Sequence, residues 1–136
     1  MNTDHGYILV VDDDPDIRET MLFVLEDAGY EVVTAANGAE ALECLRKNAA
    51  RLILLDLMMP VMDGWQFRAA QRNDPLIGEI PVVVLTGMGR AAREATALKA
   101  TACLEKPVDL EVLLSVAQQY CGASRADPCG KSHWER

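Results

Sequence analysis

Five short apolar runs punctuate this 136-residue chain, and between them apolar residues recur at helical spacing. The runs are Tyr7–Val11, Glu31–Ala35, Leu52–Asp56, Pro81–Thr86 and Ala102–Glu105. Neither Leu52-Ile53-Leu54-Leu55 nor Val82-Val83-Val84-Leu85 alternates with polar residues. Strands of that kind are buried on both faces, as in a parallel sheet covered by helices.

The intervening segments carry helix signals. Asp14-Pro15 predicts a helix start, the Asp capping and the proline taking the first helical position. Ile17, Met21, Val24, Leu25 and Ala28 form the apolar stripe of that helix, and Gly29 stops it. Asn37 with Glu40 resembles a capping box that opens a helix through Ala41, Leu42 and Leu45. A third helix is expected from about Gly64 to Asn73, with Trp65 and Phe67 near its start. After the flexible turn Gly87-Met88-Gly89, Arg90–Ala100 reads as an Ala-rich helix of weak amphipathicity. Asp109 caps a last helix, whose buried stripe is Leu110, Leu113, Leu114 and Ala117. From Cys121 the period is lost, and 121–136 reads as a loose tail in which Trp134 alone could dock.

This alternation predicts an α/β fold: a doubly wound, five-stranded parallel sheet with helices on both faces. The common small solution is the flavodoxin-like order 2-1-3-4-5 with right-handed crossovers. Residues 6–120 are expected to form one domain.

In that order Asp12 and Asp13, Asp56, Thr86 and Lys106 all fall at the carboxyl ends of the strands, where open α/β sheets bind ligands. Adjacent strands lie about 4.8 Å apart. Two carboxylates about 5 Å apart repel by roughly 3 kcal/mol at an effective dielectric near 20. Three in one pocket need protonation or a cation, and one Lys leaves them two charges short of neutral. The donors are hard oxygens, which suits Mg²⁺ or Mn²⁺ rather than Zn²⁺. Mg²⁺ typically keeps waters and bridges carboxylates to a phosphate. An Asp carboxylate is a competent nucleophile toward phosphorus. Lys106 offers a point charge, and Thr86 a hydroxyl that can donate to a phosphoryl oxygen.

Composition narrows the field. The net charge of −8 argues against a nucleic-acid surface and suits a divalent cation or a basic partner. No apolar run approaches the roughly 18 residues of a membrane span. The N-terminus has neither the basic start nor the apolar core of a signal peptide, so a cytoplasmic protein is expected. Four cysteines lack disulfide-scaffold density, and Cys44 and Cys103 are expected as reduced, buried thiols. Cys121, Cys129 and His133 lack a fourth ligand for a zinc site.

Over about residues 6 to 120 the chain resembles a receiver domain of a two-component response regulator, of the stand-alone chemotaxis-receiver kind. The matching pieces are Ile8-Leu9-Val10-Val11-Asp12-Asp13-Asp14, Leu54-Leu55-Asp56-Leu57-Met58-Met59-Pro60, Met62-Asp63-Gly64, Val84-Leu85-Thr86-Gly87 and Lys106-Pro107. The resemblance implies that a sensor histidine kinase or a histidine phosphotransfer protein donates a phosphoryl group to Asp56. It makes Asp12 and Asp13 the acidic pair, with Asp13 and Asp56 metal ligands beside the Met58 backbone carbonyl. It implies that Thr86 and Lys106 contact the phosphoryl group. The protein would then be a signalling phosphoacceptor rather than an enzyme, a monomer or weak dimer acting on a downstream partner.

Three departures from the family pattern carry expectations of their own. Cys103 stands three residues before Lys106, where the family has Tyr or Phe, so no ring is available to swing inward on activation. The turn Lys99-Ala100-Thr101-Ala102 is short and lacks the usual Gly. Met58 and Met88 occupy positions that are often polar and near the attacking water, which predicts a long-lived phosphoryl group. The alternative reading is a pseudo-receiver that docks partners without phosphotransfer. A haloacid-dehalogenase-like phosphatase would use Asp12 as nucleophile, but leaves Pro15 and the set around Asp56 unexplained. A flavodoxin-like electron carrier needs a phosphate cradle where three Asp residues stand.

Overall fold

The computed structural model describes residues 6–87 and 98–122. In chain order these form β1 (Ile8–Val11), α1 (Pro15–Asp27), β2 (Val32–Ala35), α2 (Gly38–Lys47), β3 (Leu52–Asp56), α3 (Gly64–Arg72), β4 (Val82–Thr86), β5 (Ala102–Glu105) and α4 (Leu110–Cys121). The strands make one five-stranded sheet in the order β2-β1-β3-β4-β5. Every pairing is parallel. The fold class and strand order are those expected from the sequence. The helix expected over Arg90–Ala100 lies outside the described residues, apart from its last three positions.

Side-chain parity divides the core. Leu9, Val11, Ile53, Leu55, Val82 and Val84 point to one face, where they pack with Leu42 and Leu45 of α2 and Phe67 of α3. Ile8, Val10, Leu52, Leu54, Val83 and Leu85 point to the other, against Met21 and Leu25 of α1 and Leu113 and Ala117 of α4. Each fully buried aliphatic side chain contributes roughly 1.5–3 kcal/mol. The three central strands, apolar at both parities, therefore form the rigid base on which the strand ends rest.

Local signals set the helix ends. Asp14 caps α1, its side chain accepting from the Asp16 N–H at 2.9 Å, and Pro15 occupies the first turn. Gly29, at φ 100°, ends α1: its N–H donates to the Glu26 carbonyl and that of Tyr30 to Leu25. That pair of bonds is a Schellman closure, which requires the left-handed conformation glycine takes without strain. At α2, Asn37 caps the Glu40 N–H as expected, but the Glu40 carboxylate accepts from the Ala36 N–H rather than from Asn37. The reciprocal capping box stands instead at α3, where Asp63 and Gln66 each accept the other's backbone N–H.

Some elements differ from the sequence reading. Leu110 is 39% exposed. It opens α4 one turn before the helix meets the sheet, beside a hollow of about 210 Å³ shared with Ile17, Val108 and Pro107. Helix α4 runs through Cys121, one residue into the expected tail; residues 123–136 lie outside the description. Cys44 and Cys103 are free thiols but only half-buried, because β5 is an edge strand and Cys44 lies at the rim of α2.

A buried polar network was not foreseen. Arg68 and Gln71, on the inner face of α3, are 8% and 0% exposed. The Arg68 guanidinium donates to the carbonyls of Leu98 (2.9 Å) and Lys99 (2.6 Å) and to Gln71 Oε1 (2.6 Å). Gln71 Nε2 donates in turn to the carbonyls of Ile77 (2.8 Å) and Ile80 (3.2 Å). Lys99 holds φ 56°, so it supplies at a strain cost the left-handed turn that the missing glycine would give. Burial, and the neighbouring Arg72 charge, lower the pKa of the Arg68 guanidinium. An Arg68→Met variant keeps the bulk but strands its carbonyl and amide partners. At about 1–3 kcal/mol per buried unsatisfied group, it should lose roughly 2–4 kcal/mol in urea unfolding. A loss below about 1 kcal/mol would show that the network does not hold α3 to the chain before β5.

Candidate functional site

The carboxyl ends of β1, β3, β4 and β5 bring the acidic and basic side chains together. Asp12, directly after β1, is fully buried. Its Oδ1 accepts from the Asp14 N–H at 2.9 Å, and its carbonyl accepts from Arg18 Nη1 at 2.8 Å, so α1 fixes the strand end. Asp56, the last residue of β3, is 5% exposed, whereas Asp13 is exposed at the mouth. One oxygen from each of Asp12, Asp13 and Asp56 lies within 4.8 Å of the others.

Lys106, just past β5, reaches into this cluster. Its ammonium lies 2.9 Å from Asp12 Oδ2 and 3.3 Å from Asp56 Oδ1. Thr86, buried at the end of β4, is tied to Lys106 through the main chain, because the Lys106 N–H donates to the Thr86 carbonyl at 2.8 Å. Met58 is 74% exposed, and its N–H lies 3.4 Å from Asp56 Oδ1. The five side chains singled out from the sequence thus gather at one end of the sheet. Met88 lies outside the described residues.

The electrostatics follow from this crowding. Burial pushes the Asp56 carboxyl up, and the Asp12 charge pushes it further, against the opposing pull of Lys106 and the Met58 N–H. Burial pulls Lys106 down, but its contacts with Asp12 and Asp56 outweigh that and leave it above the usual lysine range. Carboxylate oxygens within 4.8 Å of one another repel by about 3 kcal/mol or more at an effective dielectric near 20. Asp12 Oδ2 is a buried oxygen that meets the Lys106 ammonium at 2.9 Å off the directions of an ideal hydrogen bond, which leaves an acceptor position open. An all-oxygen trio of carboxylates, one with an acceptor position open, can hold a hard divalent cation.

The loop from Leu57 to Asp63 supports Asp56 from below. A Cβ on Gly64 would lie 2.7 Å from the Asp56 carbonyl oxygen and from the Leu57 Cα, so only glycine lets α3 start this close to β3. The Gly64 N–H donates to the Leu57 carbonyl at 3.0 Å and seals the approach. Val61 takes φ 67° while 81% exposed, an unfavourable conformation for a β-branched residue.

An acidic trio and a lysine thus meet at the carboxyl ends of a parallel α/β sheet of order 2-1-3-4-5, the arrangement of a receiver-type domain. The family described as the response regulator receiver domain matches residues 8–118. The chain belongs to that family, whose members are signalling phosphoacceptors of two-component systems. It is 35% identical over 123 residues to the response regulator Rre1 of Synechocystis sp., covering 88% of this chain and 53% of Rre1. It is 39% identical over 121 residues to the sensor histidine kinase RcsC of Salmonella typhimurium, covering 88% of this chain but only 13% of RcsC. Among solved structures, the chemotaxis response regulator CheY4 of Vibrio cholerae superposes with a TM-score of 0.77 at 38% identity, covering 85% of this chain and 98% of that one. The receiver domain of NtrX from Brucella abortus gives 0.76 at 33% identity, covering 86% and 99%. No helix among the described residues is long and apolar enough to cross a membrane.

Gly64→Ala tests the support of Asp56. The added methyl meets the Asp56 and Leu57 backbone as well as the Leu57 side chain, so β3 and α3 must separate, at a cost of roughly 1–3 kcal/mol. In amide spectra the largest shifts should fall on Asp56, Leu57 and Gly64. Unchanged stability together with unshifted amides there would contradict the role assigned to this glycine.

Proposed function

We propose that this protein takes a phosphoryl group onto Asp56 and signals to a partner while it is held there. One observation carries the reading: a nearly buried carboxylate at the end of β3 stands 3.3 Å from the Lys106 ammonium and clusters with Asp12 and Asp13. The donor is a phosphohistidine of a sensor histidine kinase or of a histidine phosphotransfer protein. An Asp56 oxygen forms the new bond to phosphorus as the phosphorus–nitrogen bond breaks, and the electron pair leaves with the imidazole. Lys106 then meets the charge of the transferred group, and the Thr86 hydroxyl donates to one of its oxygens. Asp12, Asp13, Asp56 and the Met58 backbone carbonyl would hold Mg²⁺, or Mn²⁺ in its place. Such an ion, when bound, offsets the negative charge shared by the pocket and the phosphoryl oxygens. The protein promotes only its own phosphorylation and dephosphorylation, acts in the cytoplasm as a monomer or weak dimer, and takes residues 6–120 as its working domain.

Incubation with acetyl phosphate and Mg²⁺ should add the mass of one phosphoryl group to the native chain. The gain should vanish in Asp56→Asn and when the divalent cation is chelated. No gain in the native protein would leave a docking scaffold as the reading. Met58 brings an exposed thioether, not a polar side chain, beside Asp56, which should slow attack by water. Loss of label from Asp56 is therefore expected to accelerate several-fold in Met58→Asn. An unchanged rate would remove Met58 from the control of phosphoryl lifetime.

A further inference from the structure

Among the described residues, strand β2 is an edge of the sheet, paired on one side only, with β1. The Ile8 N–H donates to the Glu31 carbonyl at 2.9 Å and the Asp12 N–H to the Ala35 carbonyl at 3.1 Å. Main-chain direction alternates along a strand, so residues 31, 33 and 35 turn toward β1, and Val32 and Thr34 present their N–H and C=O groups outward. Edge strands are usually blunted by lysine, proline, a bulge or a covering element. The sequence of β2 is Val-Val-Thr-Ala, its register with β1 is unbroken, and Val33 is 37% exposed.

The edge is also walled. A groove of about 1100 Å³ runs along β2, between the end of α1 on one face of the sheet and α2 on the other. Its lining includes the carboxylates of Glu26, Glu40 and Glu43, with the Lys47 ammonium beside them. Glu40 and Glu43 are exposed on the α2 wall; Tyr30 gives the α1 wall an apolar surface. The slot thus combines backbone groups that seek a strand with walls of negative charge.

We propose that the open edge of β2 is a docking slot for an extended, lysine- or arginine-rich segment of a partner protein, which adds to the sheet as a further strand. Main-chain bonds to Val32 and Thr34 supply the pairing, as in other cases of strand addition. Basic side chains of the incoming strand face Glu40 and Glu43, and apolar ones at the alternate positions face Tyr30. A second copy of this chain is a poor occupant, since its own edge carries the same negative walls and the chain bears a net charge of −8. The slot runs toward the amino ends of the strands, where Gly6, Tyr7 and Ala49 line it, so the inference does not depend on the phosphoacceptor reading.

The test is a titration of the full ¹⁵N-labelled chain with a capped octapeptide of alternating lysine and valine. Saturable shifts and slowed amide exchange are expected at Val32 and Thr34. A peptide with glutamate for lysine should produce neither, and N-methylation of alternate peptide bonds should abolish both. A Glu43→Gln variant, which leaves the Glu40 bond to the Ala36 N–H in place, should bind about threefold more weakly, because a surface ion pair is lost. Asp56→Asn should bind as the native chain does, so a failed phosphoacceptor reading and a failed docking reading give different results. The proposal is overturned by absent shifts, by shifts confined to Asp12, Asp13 and Asp56, or by equal binding of the glutamate peptide. It is equally overturned if Val32 and Thr34 are already protected in the free chain, because the chain's own segments or a second copy would then fill the slot.

Discussion

Lys106 is the hinge of the whole arrangement. It sits 2.9 Å from Asp12 and 3.3 Å from Asp56, a single positive charge between two carboxylates that would otherwise repel. Its ion pairs draw the end of β5 toward those of β1 and β3, with β4 lying between β3 and β5. Neutralisation remains incomplete, since Asp13 adds a third carboxylate and Asp12 Oδ2 keeps an unfilled acceptor position. That residual charge leaves room for a cation; the apolar strands beneath hold the carboxylates in place while burial raises the cost of keeping Asp56 ionised.

Holding such a cluster requires support from outside it. Gly64 brings α3 against the end of β3, and Val61 takes a left-handed conformation in the same loop. On the inner face of α3, Arg68 and Gln71 bond to five main-chain or side-chain acceptors between Gln71 and Lys99. The helix therefore braces the acidic loop at one end and the turn before β5 at its inner face. In this chain the brace is polar and directional, so it fixes position more sharply than an apolar contact of equal size.

Much of this was legible in the residues. Unbroken aliphatic runs at Leu52–Leu55 and Val82–Leu85 announced buried parallel strands, and polar residues at the run ends marked the pocket, because strand direction alone places those ends together. Caps at Asp14 and Asp109 were visible for the same local reason. Arg68 and Gln71 were not, since their spacing on α3 looks like any polar face; only the three-dimensional path of the chain at Leu98 and Lys99 gives them partners. Leu110 fits a helical stripe by period yet sits beyond the sheet, and a period carries no information about where the sheet stops. The positive φ of Lys99 was hidden as well, although the missing glycine marked the place.

The bond between the Lys106 N–H and the Thr86 carbonyl has a consequence of its own. It makes the hydroxyl bearer and the ammonium bearer two teeth of one jaw. Neither strand terminus can advance on the acidic mouth while the other stays behind, unless that rung of the ladder breaks. An inner strand and the edge strand β5, which carries Cys103, are thereby joined directly at the acidic mouth.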